Sequence, residues 1–275
     1  MKHNMSCDFL IGIILVCFIL LLTVTGLFYL PFGYNEMHSD NQFDSPGLPH
    51  ILGTDNFGRD VFSRIMAGGI HTLLTALLTV TGSALLGTIL GLMAGYFGGI
   101  LDEAIMRLMD AISSFPGILL ALVFVSVFNH DALVLALIIL FTPGFTRIMR
   151  SGTVQIRQRD FILAARIIGT SKPRLLLVHI LPNLFPQLLS ASIVALSNAI
   201  LAESTMSYLG LGIQPPLPSW GRMLSESQGF LFNAPWCAIA PGIMIMLSVL
   251  GFHFTGEGLR QLSTPISETQ EYRNE

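Results

Sequence analysis

The residues of this 275-residue chain that could make or break bonds are seven histidines, three cysteines and one short acidic run around a glycine. That run, Asp55-Asn56-Phe57-Gly58-Arg59-Asp60, resembles a metal loop only superficially. It lacks the D-x-D-x-D-G order and the closing bidentate glutamate that calcium needs, and Asx-turn and glycine-turn chemistry accounts for it better. Among His3, His38, His50, His71, His130, His179 and His253 no two stand at i, i+4, and no H-E-x-x-H occurs, so a zinc hydrolase has no support. Cys7, Cys17 and Cys237 are scattered, without metal or redox spacing. No G-x-S-x-G elbow is present. The two lysines, Lys2 and Lys172, exclude a P-loop, because Ser171 and Pro173 flank Lys172 where G-x-x-x-x-G-K-[ST] is required. The expectation is therefore no catalytic residue, no metal ligand set and no cofactor in this chain. An energy source such as ATP would have to be bound by another subunit, or replaced by an ion gradient.

The elements that carry these residues follow from composition. Apolar and aromatic residues make up 52% of the chain and charged residues 11%, less than half the roughly 25% of an average soluble domain. So little charge cannot cover a soluble surface of this size, and disorder is excluded as well. A net charge of −3 gives no basic surplus for nucleic acid. The chain reads as an all-α integral membrane protein in contact with lipid.

Six uncharged or nearly uncharged stretches are long enough, or nearly so, to meet the roughly 20 residues a membrane helix needs. They are residues 9–30, 65–97, 111–128 (interrupted by Pro116), 132–146 (carrying Pro143 and Gly144), 183–202 and 235–256. The first is longer than a signal-peptide core and no small-x-small site follows it, so it reads as a retained anchor. Gly87, Gly91 and Gly95 form overlapping G-x-x-x-G steps in the second, which fits close helix packing. Trp236 marks an interfacial end of the sixth.

Six spans put both termini on one side. With that side inward, the inner segments hold eleven of the fourteen basic residues, seven of them between Arg147 and Arg174. The positive-inside rule therefore predicts cytoplasmic termini. This divides the chain into an anchor helix with an outer loop (residues 1–64), a five-helix body (65–260) containing an inner loop (147–182), and a cytoplasmic tail (261–275). Ionisable groups near the spans are candidates for a transport path or gate, because a polar group in lipid is costly. His71 and His253 are two such groups, with a buried hydrogen-bonding role as the alternative. Glu203, beside Ser204 and near Ser207, could meet a cationic substrate or pair with another helix.

In the inner loop Asp160 is expected to cap a short helix over residues 161–168 that Gly169 ends, and Ser171 followed by Pro173 begins the next. An apolar helix between arginines on the inner side needs a partner groove or an anionic lipid surface. Composition does not choose between them.

A resemblance does. Ala164-Ala165, Gly169 and Ile180-Leu181-Pro182 resemble the EAA loop of binding-protein-dependent ABC importer permeases, with Leu163 where that family has its glutamate. Residues 50–60, with Gly53, Thr54, Asp55, Gly58, Arg59 and Asp60, and then Ser63-Arg64, are similar to the outer segment of dipeptide, oligopeptide and nickel permeases of the "C" subunit type. So are Glu203-Ser204, residues 207–212, Gln214-Pro215-Pro216, Pro218-Ser219-Trp220-Gly221 and Gly256-Glu257-Gly258-Leu259-Arg260. The resemblance implies a type I ABC importer transmembrane domain in a bacterial inner membrane, working by alternating access. It implies a sister permease, two ATPase subunits that bind ATP and magnesium, and an extracytoplasmic substrate-binding protein. In that reading Asp160, Ala164, Ala165, Gly169, Leu181 and Pro182 belong to the ATPase-coupling loop. The rival is an ion-gradient-driven secondary transporter or channel, which would be expected to show two similar halves and midplane ionisable residues.

Overall fold

The computed structural model describes residues 7–128 and 132–263. Lys2, His3, His130, Arg273 and the rest of the tail from residue 264 onward lie outside the described residues. Among the described residues the chain is helical, with α1 at Cys7–Phe28, α2 at Val61–Phe97, α3 at Gly99–Ser114, α4 at Gly117–Phe128 and α5 at Leu133–Arg157. The short α6 (Asp160–Ile167) follows, then α7 (Lys172–Arg174), which runs through a π-helical stretch (Leu175–Ile180) into α8 (Leu181–Tyr208). The short α9 (Trp220–Glu226) and the long α10 (Trp236–Ser263) complete it.

Five of these segments are long and apolar enough to cross a membrane, and α3 with α4 makes a sixth if the bent pair is one span. That pair corrects the third stretch read from the sequence. The chain turns by 88° at Phe115, whose φ −86° and ψ 137° are extended, because Pro116 disfavours a helical residue before it. The amphipathic α3 therefore runs at a steep angle to α4 instead of continuing it. The ends of the other spans also move. α2 begins at Val61 and, at 1.5 Å per residue, is about 55 Å long, well beyond a hydrocarbon core of about 30 Å. α5 continues to Arg157, so the first part of the inner loop is helix. α8 continues to Tyr208, so Glu203 sits inside a helix and not at the start of a loop.

The central packing is α2 against α5. A Cβ built on Gly91 would lie 2.6 Å from the Cβ of Met149, and one on Gly95 would lie 2.7 Å from the Cβ of Thr153. The glycine steps let the two backbones approach, as the sequence predicts. Of the clusters of buried side chains, two bear on the candidate sites. One cluster joins Ile19, Val61, Ile65, Trp220, Met223, Cys237, Met244 and Ile245 from α1, α2, α9 and α10. The other joins Leu92, Met149, Ile156, Ile162, Leu175, Ile180 and Leu184 from α2, α5, α6 and the α7–α8 arm. Each cluster supports one of the candidate sites.

Candidate coupling and gating sites

α6 is a one-sided helix fastened by a single fully buried residue, Ile162, which enters the second cluster. Ala165 packs partly against the same cluster. Ala164 is exposed, and so are Phe161, Leu163, Ile167 and Ile168, the last two at 87% and 84%. An apolar face left open beside Arg159 and Arg166 is what a docking helix presents.

Its ends differ from one another in how well the sequence anticipates them. At the start, Arg159 and not Asp160 takes the extended cap position, with no side-chain cap. The Arg159 carbonyl accepts from the amides of Ile162 and Leu163 at 3.0 and 3.2 Å. Asp160 is the first helical residue, where its negative charge meets the positive end of the helix dipole. At the finish, Gly169 has φ +84°. Its amide donates to the Arg166 carbonyl at 3.0 Å and that of Thr170 donates to Ala165 at 3.1 Å, the paired bonds of a Schellman motif. Leu181 and Pro182 open α8. Pro182 cannot donate and would crowd the carbonyl four residues back. The preceding turn is widened to π geometry, with the Leu181 amide bonded to the Leu176 carbonyl.

The basic residues around α6 are legible in the sequence as a cluster, but their partners are not. Arg157 donates to the Tyr96 carbonyl at 2.9 Å, the guanidinium of Arg166 lies 5.1 Å from the Tyr96 ring centre, and the Lys172 ammonium lies 5.6 Å from that of Phe97. Three cations thus hold the C-terminal turn of α2, where positive charge suits the helix dipole. Arg150 makes a bidentate pair with Asp102, and Arg147 bonds Asp110 at 2.8 Å, which ties α3 to α5. Arg166 thus joins α6 to α2, and Arg150 and Arg147 join α5 to α3.

At the other end, residues 53–60 form a compact turn that receives the start of α2. The Asp55 carboxylate accepts from the Phe57 and Arg59 amides at 2.8 and 3.0 Å and from Arg59 Nε at 2.6 Å, so the Asx-turn reading holds. Gly53 and Gly58 have positive φ. Asp60 caps α2, accepting from the Ser63 amide at 2.7 Å, and lies 2.9 Å from His50 Nδ1. The Thr54 carbonyl accepts from the indole of Trp236 at 3.1 Å, so that ring is a fastening as well as a span end. Sequence gives no signal for the partner of this turn. Glu226, at the end of α9, accepts from Arg59, Arg64 and Arg222 at 3.1, 2.8 and 3.2 Å.

Glu203 is fully buried. Ser207 Oγ donates to its carboxylate at 2.6 Å and Ser204 Oγ lies 3.4 Å away. The hydroxyls of Thr72 on α2 and Ser219 at the cap of α9 lie beside it. Of the five candidate path or gate residues, the structure brings Glu203, Ser204 and Ser207 together. Neither histidine is among the partners of Glu203. His71 is half-buried on α2, and His253 is on the exposed face of α10, which removes the need for a buried partner at that position. No group of three or more metal-capable side chains is found among the described residues.

A multi-pass helical bundle with a protruding, one-sided helix between its fourth and fifth spans defines the class: the transmembrane domain of a type I ABC importer. The fold agrees with the inward-facing methionine ABC transporter MetNI, at TM-score 0.59 and 17% identity over 72% of this chain and 94% of that one. Residues 87–260 match the family of binding-protein-dependent transport system inner membrane components, and the chain belongs to that family. The dipeptide transport system permease protein DppC of Alkalihalophilus pseudofirmus is 38% identical over 93% of this chain and 85% of its own length. The glutathione transport system permease protein GsiD of Escherichia coli O6:K15:H31 is 38% identical over 90% of this chain and 84% of its own. The chain is thus a permease subunit of an ABC importer in the inner membrane and not an enzyme, and ATP hydrolysis belongs to separate subunits. The ion-driven alternative falls with that assignment.

Proposed function

We propose that this chain forms half of the path by which an ATP-driven importer takes up short peptides. The curated relatives are named for dipeptides and glutathione, which supports a peptide cargo over nickel. The other half would come from a sister permease, with two ATPase subunits on the inside and a substrate-binding protein on the outside. The surplus of basic residues around α6 supports cytoplasmic termini and an inward-facing α6.

The observation that carries this reading is the exposed apolar face of α6, anchored by Ile162 and joined to α2 through Arg166, with Arg157 of α5 and Lys172 of α7 meeting the same end of α2 beside it. ATPase closure would move α6, and the linked helices would exchange an inward for an outward opening. ATP biases that exchange only through contacts that differ between the two states, and α6 is where such contacts are available. Leu163 stands on this face where the family has a glutamate, so the contact there is apolar. Uptake of labelled dipeptide and of nickel-63 in a deletion strain carrying this subunit tests the cargo. Dipeptide uptake that is lost without the chain is expected, and nickel-63 uptake alone would overturn the peptide assignment.

A further inference from the structure

The segment between α8 and α10 folds back onto the bundle, and where it crosses α2 and α8 one carboxylate lies at the crossing. Glu203 stands one turn before the end of α8, fully buried. Ser207 donates to it at 2.6 Å and itself accepts from the Ile213 amide at 3.2 Å. Thr72, which lies beside Glu203, accepts from the Trp220 amide at 3.4 Å. Ser219, the fourth hydroxyl beside the carboxylate, caps α9 by accepting from the Arg222 amide at 3.2 Å. Close packing surrounds this hub. A Cβ on Gly221 would lie 2.7 Å from the Cα of Ser204, and one on Gly69 would lie 2.7 Å from the Trp220 ring. Trp220 is itself fully buried, with its indole N–H donating to the Ile65 carbonyl at 3.0 Å. Among the described residues no cation is bonded to Glu203.

We infer that Glu203 is a positioning residue that pins the α8–α10 connection, through Ser219 and Ser207, onto α2 and α8, so that α9 moves with these two helices as one body during transport. Its four hydroxyl partners come from three separate parts of the chain, and a buried carboxylate without them would be costly. A substrate contact would instead require an acceptor open to the path. The inference rests on the inward-facing α6 proposed above, which places this connection, one span later, on the outside.

The test uses the assembled importer with Cys7, Cys17 and Cys237 replaced by alanine and one reporter cysteine introduced. Phe232→Cys, at a fully exposed position on the same connection, reports which side the connection faces. Labelling by an impermeant maleimide from outside is expected, and its absence would overturn the topology without touching the pin. Met223→Cys, buried on α9, reports lifting of α9. Its labelling should rise about tenfold in Glu203→Ala, as expected for losing a buried hydrogen bond, and stay near the parent rate in Glu203→Gln, which keeps an acceptor for Ser207. If Glu203→Ala fails to assemble with the ATPase subunits, Thr72→Val with Ser219→Ala removes two of the four hydroxyls from the other side and should give the same rise. An unchanged Met223→Cys rate in an assembled Glu203→Ala or Thr72→Val/Ser219→Ala importer overturns the pin. So does a Glu203→Gln variant that loses uptake with α9 still shut, because that result marks a substrate contact.

Discussion

Replacing Gly169 by valine isolates the geometry of α6 from its contacts. The residue has φ +84°, and no atom stands within 4 Å of where a Cβ would project, so within this chain the cost is conformational and not steric. A left-handed residue other than glycine costs about 1–2 kcal/mol, and the two Schellman bonds at stake, from Gly169 and Thr170, are worth roughly 0.5–1.5 kcal/mol each. Against this, α6 is held by one fully buried side chain, Ile162, whose burial is worth about 1.5–3 kcal/mol. The ratio of correctly ended to frayed helix should therefore fall by a factor of roughly 5–30. The apolar spans that govern insertion are untouched. Uptake of labelled dipeptide in whole cells, normalised to the membrane level of the subunit, should fall, by no more than that factor. Gly169→Asn tolerates the left-handed region and should retain most of the uptake. Valine and parent importing equally would refute the role of the cap. Equal loss with asparagine and valine would show that a partner surface covering Gly169, and not its φ, sets the requirement.

Ile162→Ala should leave insertion intact but detach α6, at a cost of about 2–5 kcal/mol, and substrate-stimulated ATPase activity of the purified importer should fall towards its basal rate. Gly91→Leu places a large side chain where even a Cβ meets Met149 at 2.6 Å, and the subunit should disappear from the membrane on immunoblots, since overpacking here forces α2 and α5 apart. Glu226→Ala leaves Arg64, 3% exposed, and Arg59, 8% exposed, short of a counter-ion. Breaking a buried pair costs about 3–5 kcal/mol, which Asp55, 2.6 Å from Arg59 and 3.9 Å from Arg64, reduces for both, and the melting temperature of the detergent-purified importer should drop measurably. Asp60→Ala removes the cap of α2 and the partner of His50, and a smaller drop, of about 1 kcal/mol in stability, should appear in the same assay.

Much of the fold is written in short-range pattern, and the limits lie where contacts are long-range. Uncharged runs locate the spans, the glycine steps mark the close-packing face of α2, and Gly169 locates the end of α6, because each depends on neighbouring residues alone. Pro116 marks the bend at Phe115, yet the size of that bend depends on how α3 packs, with Ile105 and Met109 against Ala94. Asp160 has the chemistry of a cap, but Arg159 takes the extended position without using its side chain. The pairing of Glu226 with Arg59 and Arg64 spans more than 160 residues, and no local spacing encodes it. Glu203 is visible in the sequence as a carboxylate near lipid, but its hydroxyl partners come from α2 and α9 as well as from its own helix. The inner arginines are readable as positive charge, whereas their grip on Tyr96 and Asp102 emerges only once α2, α3 and α5 are packed.

Coupling requires that α6 meet the ATPase and not lipid. Ile167, 87% exposed on its open face, offers the direct measurement. Ile167→Cys, in the assembled importer with the native cysteines replaced, is treated with a short bifunctional thiol-to-amine reagent and the products are identified by mass spectrometry. The predicted result is a cross-link to an ATPase subunit whose yield changes when ATP is bound. An importer that still transports, yet cross-links α6 only to aminophospholipid, would contradict the coupling role.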